Sequence, residues 1–130
     1  MIELKGRRIC RGRAEGEALV SKDAISFFGG VDPDTGKVVE KGHSLEGKEI
    51  KGKILVFPRG KGSTVGPYTI YRLKKNGNAP AAIVNRECET IVAVGAIISE
   101  IPCIDKIDID KIADGDRVVL NADEGTIKIM

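Results

Sequence analysis

Ile54-Leu55-Val56-Phe57-Pro58-Arg59-Gly60-Lys61-Gly62-Ser63-Thr64-Val65-Gly66-Pro67-Tyr68 carries a short apolar run into a glycine-rich turn and on into a helix start. The first four residues, apolar at successive positions and mostly branched, predict a buried strand. Pro58 has no N–H to give a ladder and ends it. Pro67 suits the first turn of a helix, where a missing N–H costs nothing, and Asn76-Gly77 after Lys74 and Lys75 closes that helix. Ala79 to Val84 is again strand-like. The order strand, helix, strand predicts a right-handed crossover between parallel strands, and this sets the class as α/β.

Outward from that unit the pattern is mostly β. Glu89 to Glu100 has the length and alanine content of a second helix, and Ile101 to Ile104 of a short strand after it. Arg117 to Leu120 and Thr126 to Ile129 predict a hairpin around Asn121 to Gly125, with Gly125 available for a positive φ. Towards the N-terminus, residues 1 to 22 read as two β segments broken at Gly12 or Gly16, and Ile25 to Phe28 as a further short strand. Gly29 to Gly36 has the Gly, Asp and Pro content of a long turn, with Lys37 to Glu40 pairing back across it. Residues 42 to 53 read as a surface turn. The expected architecture is a barrel-like β-sheet joined to a strand-helix-strand layer.

At 130 residues and 42% hydrophobic, the chain suffices for one compact domain and is too short for two, so residues 1–130 are read as a single domain. Its 21 basic and 19 acidic residues are interspersed, without the basic footprint of a phosphate-backbone binder, and three Phe and two Tyr give little for base stacking. Nucleic acid is therefore not an expected partner. The longest apolar run, near Ile91 to Ile98, falls well below the roughly 18 to 20 residues that span a bilayer, so no membrane segment is expected. Cys10, Cys88 and Cys103 are odd in number and irregularly spaced, with no secretory leader before them; reduced thiols in a cytoplasmic protein are the expectation.

Several chemistries fail on spacing. The Gly60-Lys61-Gly62-Ser63-Thr64 turn lacks the four residues that a nucleoside-triphosphate loop places before its Gly-Lys pair. Asp32, Asp34 and Gly36 do not complete a calcium loop, since His43 stands where its closing glutamate belongs. The cysteines match no iron-sulfur ligand run, and Cys88 and Cys103 read as core residues flanking a helix. His43, the one histidine, would have to serve Ser63 in any Ser-His pair, and no acidic group to orient it is identifiable. What remains is Ser63 on a turn before a helix, beside Arg59 and Lys61. It is either an ordinary helix cap or a proton-abstracting group stabilised by the helix terminus and by cations. Asn85, Arg86, Glu87 and Glu89 follow the strand that ends at Val84, at the strand end where ligands bind in α/β layers.

Gly60 to Thr64 resembles the Gly-x-Gly-Ser-Ser turn of the aconitase swivelling domain, in which a serine takes the proton during dehydration. Ser26-Phe27-Phe28-Gly29-Gly30-Val31-Asp32-Pro33-Asp34-Thr35-Gly36, the Pro58 to Ser63 turn and the run from Val92 to Pro102 extend the likeness. Together they resemble the small subunit of the aconitase X family over nearly the whole chain. The resemblance implies a swivelling β/β/α domain that closes over a large subunit, and a hydro-lyase active only when both are present. Two-subunit archaeal members dehydrate mevalonate 5-phosphate to trans-anhydromevalonate 5-phosphate in isoprenoid synthesis; others act on hydroxyproline. On this likeness Ser63 is the catalytic base, and Arg59, Gly60, Lys61, Gly62 and Thr64 meet a small phosphorylated hydroxy acid. A [4Fe-4S] cluster held by the large subunit, not by this chain, takes the leaving hydroxyl. Aconitase proper has an arginine just after its serine pair where Val65 stands here, so an assisting arginine comes from elsewhere. Phosphohistidine carriers also swivel, and on that alternative His43 is the phosphorylated residue.

Overall fold

A computed structural model describes residues 2–130. Eight strands form one mixed sheet in the order β1-β8-β7-β3-β4-β5-β6-β2. They are β1 (Ile2–Lys5), β2 (Arg7–Cys10), β3 (Arg13–Val20), β4 (Ile54–Phe57), β5 (Ala82–Asn85), β6 (Cys103–Asp105), β7 (Arg117–Asn121) and β8 (Thr126–Ile129). The two end strands, β1 and β2, are joined through Gly6 alone, which brings the sheet's ends together as a nearly closed barrel. A Cβ on Gly6 would run into the Asp105 carbonyl, so glycine is required where the ends meet. Helices α2 (Gly66–Lys75) and α3 (Thr90–Ser99) pack on one another, and each links two parallel strands, β4 to β5 and β5 to β6.

Side-chain alternation along the parallel strands creates two cores from one set of strands. Ile54 and Val56 of β4, with Ala82, Val84 and Ile104, point into the barrel against Val118, Leu120, Ile127 and Ile129. Leu55 and Phe57, with Ile83 and Cys103, point the other way, against Ile70, Leu73, Val92 and Ala96 of the helices. This explains why β4 and β5 are buried at every position, whereas β7 and β8 alternate buried and outward side chains. The layers are thus β, β and α. At the β2–β6 seam the Asp105 carboxylate is fully buried and receives Arg7 Nε at 2.9 Å, Arg7 Nη2 at 2.8 Å and the Cys88 amide at 2.9 Å. The paired carboxylate holds the Arg7 guanidinium above its ordinary pKa.

Three local expectations are corrected and one is refined. The N-terminal region forms three strands, not two, because the chain turns at Gly6 and again at Arg11-Gly12, while β3 runs on through Gly16. Ile25 to Phe28 is no strand. Ile25 makes a single bridge to Gly60, and Phe27–Gly30 (α1) is a single turn closed by the Val31 amide on the Phe27 carbonyl at 3.2 Å, with non-helical backbone at Phe28 and at Gly29, which takes φ +82°. Lys37 to Glu40 does pair back across the turn, through the Val38–Val31 bridge, but as an isolated bridge and not a strand, and Lys37 bridges Glu49 on its other side. Residues 42 to 53 are turns, but not merely surface ones: Leu45 and Ile50 are buried in the helix-side core. A period search misses such a segment because its two anchors lie five residues apart, on neither a helical nor a strand repeat.

Candidate active site

The turn after β4 is held at its stem by its neighbours. Asn85 Nδ2 donates to the Phe57 carbonyl at 3.0 Å, and the amides of Arg86 and Glu87 both donate to the Pro58 carbonyl at 3.1 Å. Ile25 N donates to the Arg59 carbonyl at 3.1 Å, and Lys61 N returns a bond to the Ile25 carbonyl at 3.0 Å. Gly60 and Gly62 are needed for closeness more than for flexibility. A Cβ on Gly60 would meet the Glu89 carboxylate and approach Val92 Cγ2 to 2.5 Å; one on Gly62 would meet Ser26 Oγ and Cβ, at a φ of +93°. Glu89 works on both sides of this contact. Its carboxylate accepts the amides of Ile91 at 2.9 Å and Val92 at 2.8 Å, capping α3 at the end where a negative charge is favoured.

Ser63 stands fully on the surface at the tip of this braced turn. It is not the cap of α2. The capping position is Val65, without a side-chain cap bond, and Ser63 lies two residues ahead of it. Its Oγ accepts the Val65 amide at 3.2 Å and its carbonyl accepts the Gly66 amide at 3.0 Å, a short turn that leaves the hydroxyl proton uncommitted. The amides of Gly62, Ser63 and Thr64 donate to no acceptor among the described residues. Free amides ahead of a helix start are donors available to an oxyanion, be it carboxylate, phosphate or alkoxide.

The two cations differ. Lys61 Nζ is paired with Glu40 at 3.0 Å, whereas the exposed Arg59 guanidinium has no ion pair among the described residues. Arg59 is therefore free to meet an anion without first breaking a bond, and Lys61 is not. Thr64 is exposed beside Ser63. Of the residues that brace the turn, Ser26 opens the Ser26 to Gly36 stretch quoted for the family resemblance, and Glu40 carried no signal in the sequence. Glu89's place after a strand end hinted at a role.

His43 is remote from this chemistry in its bonding. It is 7% exposed, its Nε2 donates to the Ala24 carbonyl at 2.9 Å, and its Nδ1 accepts the Leu45 amide at 3.0 Å. A phosphoryl acceptor needs an open ring nitrogen, and both are in use, so the carrier alternative has no site.

The cysteines, distant in sequence, converge at the β2–β6 seam as free thiols: Cys10 pairs with Cys103 across the strands, and the Cys88 amide donates to the Asp105 carboxylate while its thiol donates to the Glu89 carbonyl at 3.7 Å. Cys103 is buried, as expected; Cys88 and Cys10 are half-buried. No group of three His, Cys, Asp or Glu side chains among the described residues is placed to hold a metal ion. The Cys88 thiol and burial push Cys103 well above its ordinary value of 9.0, and burial also raises Cys10. Folded Cys103 thus keeps its proton where an unfolded thiol has lost it. Its contribution to stability is complete below about pH 8.5 and is lost as pH rises beyond that. Tm followed between pH 8 and 10.5 should fall more steeply for the wild type than for Cys103→Ala, and equal slopes would refute this assignment.

The sequence profile of the aconitase X swivel domain matches residues 3–129. The chain is 60% identical over 131 residues to the phosphomevalonate dehydratase small subunit of Methanocella arvoryzae, covering 98% of this chain and 99% of that protein. It is 62% identical over 132 residues to the protein of the same name from Methanosarcina acetivorans, covering 99% and 92%. Its fold is similar to the crystal structure of Thermococcus kodakaraensis aconitase X in its holo-form, with a TM-score of 0.99 at 55% identity, over 100% of this chain and 99% of that one. No helix among the described residues is long and apolar enough to cross a membrane.

Proposed function

The chain belongs to the aconitase X family as its swivel domain, and on that ground we propose that residues 1–130 act as one domain, the small subunit of a cytoplasmic hydro-lyase that dehydrates mevalonate 5-phosphate. The observation that carries this reading is the match along nearly the full length of two relatives named phosphomevalonate dehydratase small subunit. Its large subunit completes the site, and the product is trans-anhydromevalonate 5-phosphate.

In this reading Ser63 takes the proton next to the substrate carboxylate. The Cα–H bond breaks and an Oγ–H bond forms. The electron pair left on carbon becomes the new C=C bond as the C–O bond to the hydroxyl breaks; the departing hydroxide recovers the proton from Oγ, which gives water and restores the serine anion. Serine is a weak base in water, so its anion must be stabilised before it can act. The Val65 amide already donates to Oγ, and the open end of α2 adds a positive dipole. The free amides of Gly62 and Thr64, with Arg59, bind the substrate's carboxylate or phosphate oxygens through charge-assisted hydrogen bonds. Lys61 joins them once Glu40 releases it, and Gly60 admits the close packing that holds the turn. In this reading Lewis-acid help for the leaving hydroxyl, from a [4Fe-4S] cluster, falls to the large subunit; the described residues of this chain bring no three metal-ligating side chains together.

The test is turnover by the purified two-subunit complex, with mevalonate 5-phosphate and a hydroxyproline offered in parallel. Water loss from mevalonate 5-phosphate alone is the expected result. Dehydration of the hydroxyproline alone would move the enzyme to the other branch of the family.

A further inference from the structure

α3 is apolar all round. No charged residue lies between its cap Glu89 and Glu100. Val92, Gly95, Ala96 and Ser99 face the core, while Val94, Ile97 and Ile98 on the opposite side are 41–53% exposed. A helix on a protein surface ordinarily turns a charged face to water. α2, packed beside it in the same layer, does so with Arg72, Lys74 and Lys75. The outer face of α3 is therefore suited to burial in an assembly.

This face is part of a larger asymmetry. Ten large apolar side chains are exposed among the described residues. Only Ile2 and Met130, near the chain ends, lie on the barrel strands or their termini; the rest belong to the helices or the segments against them. Phe28 and Val39 share a depression with Thr69 and Arg72 on one flank of α2. α3 lies on the other flank, where Gly66 meets Ile91 and Gly95 meets Ile70. Between these flanks, Val65 and Tyr68 surround the start of α2, directly after Ser63. The outer barrel face carries instead Glu3, Arg13, Glu15 and Lys128, with Arg117 bonded to Glu15 at 2.9 Å.

We infer that the large subunit seats on the helix layer, covering the outer face of α3 and crossing the start of α2 to Phe28 and Val39, with Ser63 inside the covered area. The inference rests on the subunit reading above. Interface size supports it. A stable interface takes about 800 Å² and 20–30 residues per partner, whereas the Arg59–Thr64 turn offers six residues. A partner that reaches Ser63 must extend beyond the turn. Two paths lead away from the turn: towards α3 along Glu89, whose carboxylate is held by the α3 amides and packs on Gly60, and towards Phe28 along Ser26, which packs on Gly62.

Affinity for the cognate large subunit, read by calorimetry without substrate, tests this separately from catalysis. Ile98→Glu and Val94→Glu should each weaken association at least tenfold, and Lys128→Glu on the barrel should not change it. Retention of the wild-type Tm by the free variant chains identifies the loss as one of docking; Ile98→Ala and Val94→Ala, which keep the helix apolar, should reduce affinity in the same order. Unchanged affinity in the glutamate variants overturns the inference, as does their conversion of a self-associated free chain to monomer without loss of large-subunit affinity. Ser63→Ala should bind normally, so a wrong docking face and a wrong base give different results.

Discussion

Ser63→Ala is expected to lower kcat of the two-subunit enzyme by about a thousandfold, within the range for loss of a positioned base. KM should change little, because the turn amides and Arg59 that meet substrate oxygens are untouched. Ser63 is exposed and its only side-chain bond is the one accepted from the Val65 amide, so neither the fold nor the association of subunits depends on it. Steady-state turnover of mevalonate 5-phosphate, with complex formation measured on the same samples, checks this. A variant that retains most of its turnover would leave Ser63 as a turn residue and require another base. Ser63→Cys offers a second view. A thiol at this position loses its proton far more readily than a hydroxyl, so recovered activity with a shifted pH profile would mark proton transfer at that atom.

Gly60→Ala is expected to lower kcat about a hundredfold without unfolding the protein, a loss typical of a catalytic group displaced by about 1 Å. The new methyl group would stand against the Glu89 carboxylate and 2.5 Å from Val92 Cγ2. Either the turn lifts away or Glu89 leaves the two amides it caps on α3. Loss of such a cap costs about 1 kcal/mol, so the chain stays folded in both cases. Ser63, three residues on, moves in the first case and keeps its place in the second. Turnover together with Tm separates the two: low kcat at nearly wild-type Tm shows displacement of the turn, whereas full kcat with lowered Tm shows that the cap yields. The second result would mean that Glu89 gives way and the turn stays in place; full kcat at wild-type Tm would refute the tight contact at Gly60.

The strand-turn-helix unit was legible because each of its signals is local. Pro58 ends the strand, Pro67 starts the helix and Asn76-Gly77 stops it, and α2 spans Gly66–Lys75 accordingly. The β7–β8 hairpin and α3 were legible for the same reason. Ile25 to Phe28 misled because three residues of high strand propensity, Ile25, Phe27 and Phe28, outweighed the Gly29-Gly30 pair that follows. Propensity cannot register that Ile25 has only Gly60 to pair with. The segment from 42 to 53 misled because its polar, glycine-punctuated composition hides two buried anchors, Leu45 and Ile50.

The residue types of the site, a serine with two cations on a glycine-rich turn, stand in one contiguous stretch, and the chain order alone placed them between a strand and a helix. Which of them is available for chemistry depends on residues elsewhere. Glu40 occupies Lys61 and leaves Arg59 as the unpaired cation; Glu89 and Ser26 make Gly60 and Gly62 points of contact; His43 is committed at both nitrogens. The cysteines meet at one seam although the second lies 78 residues beyond the first. Local geometry follows from neighbours along the chain, so it can be read in order. Pairing, steric closeness and the exposure of α3's outer face arise between segments that only folding brings together.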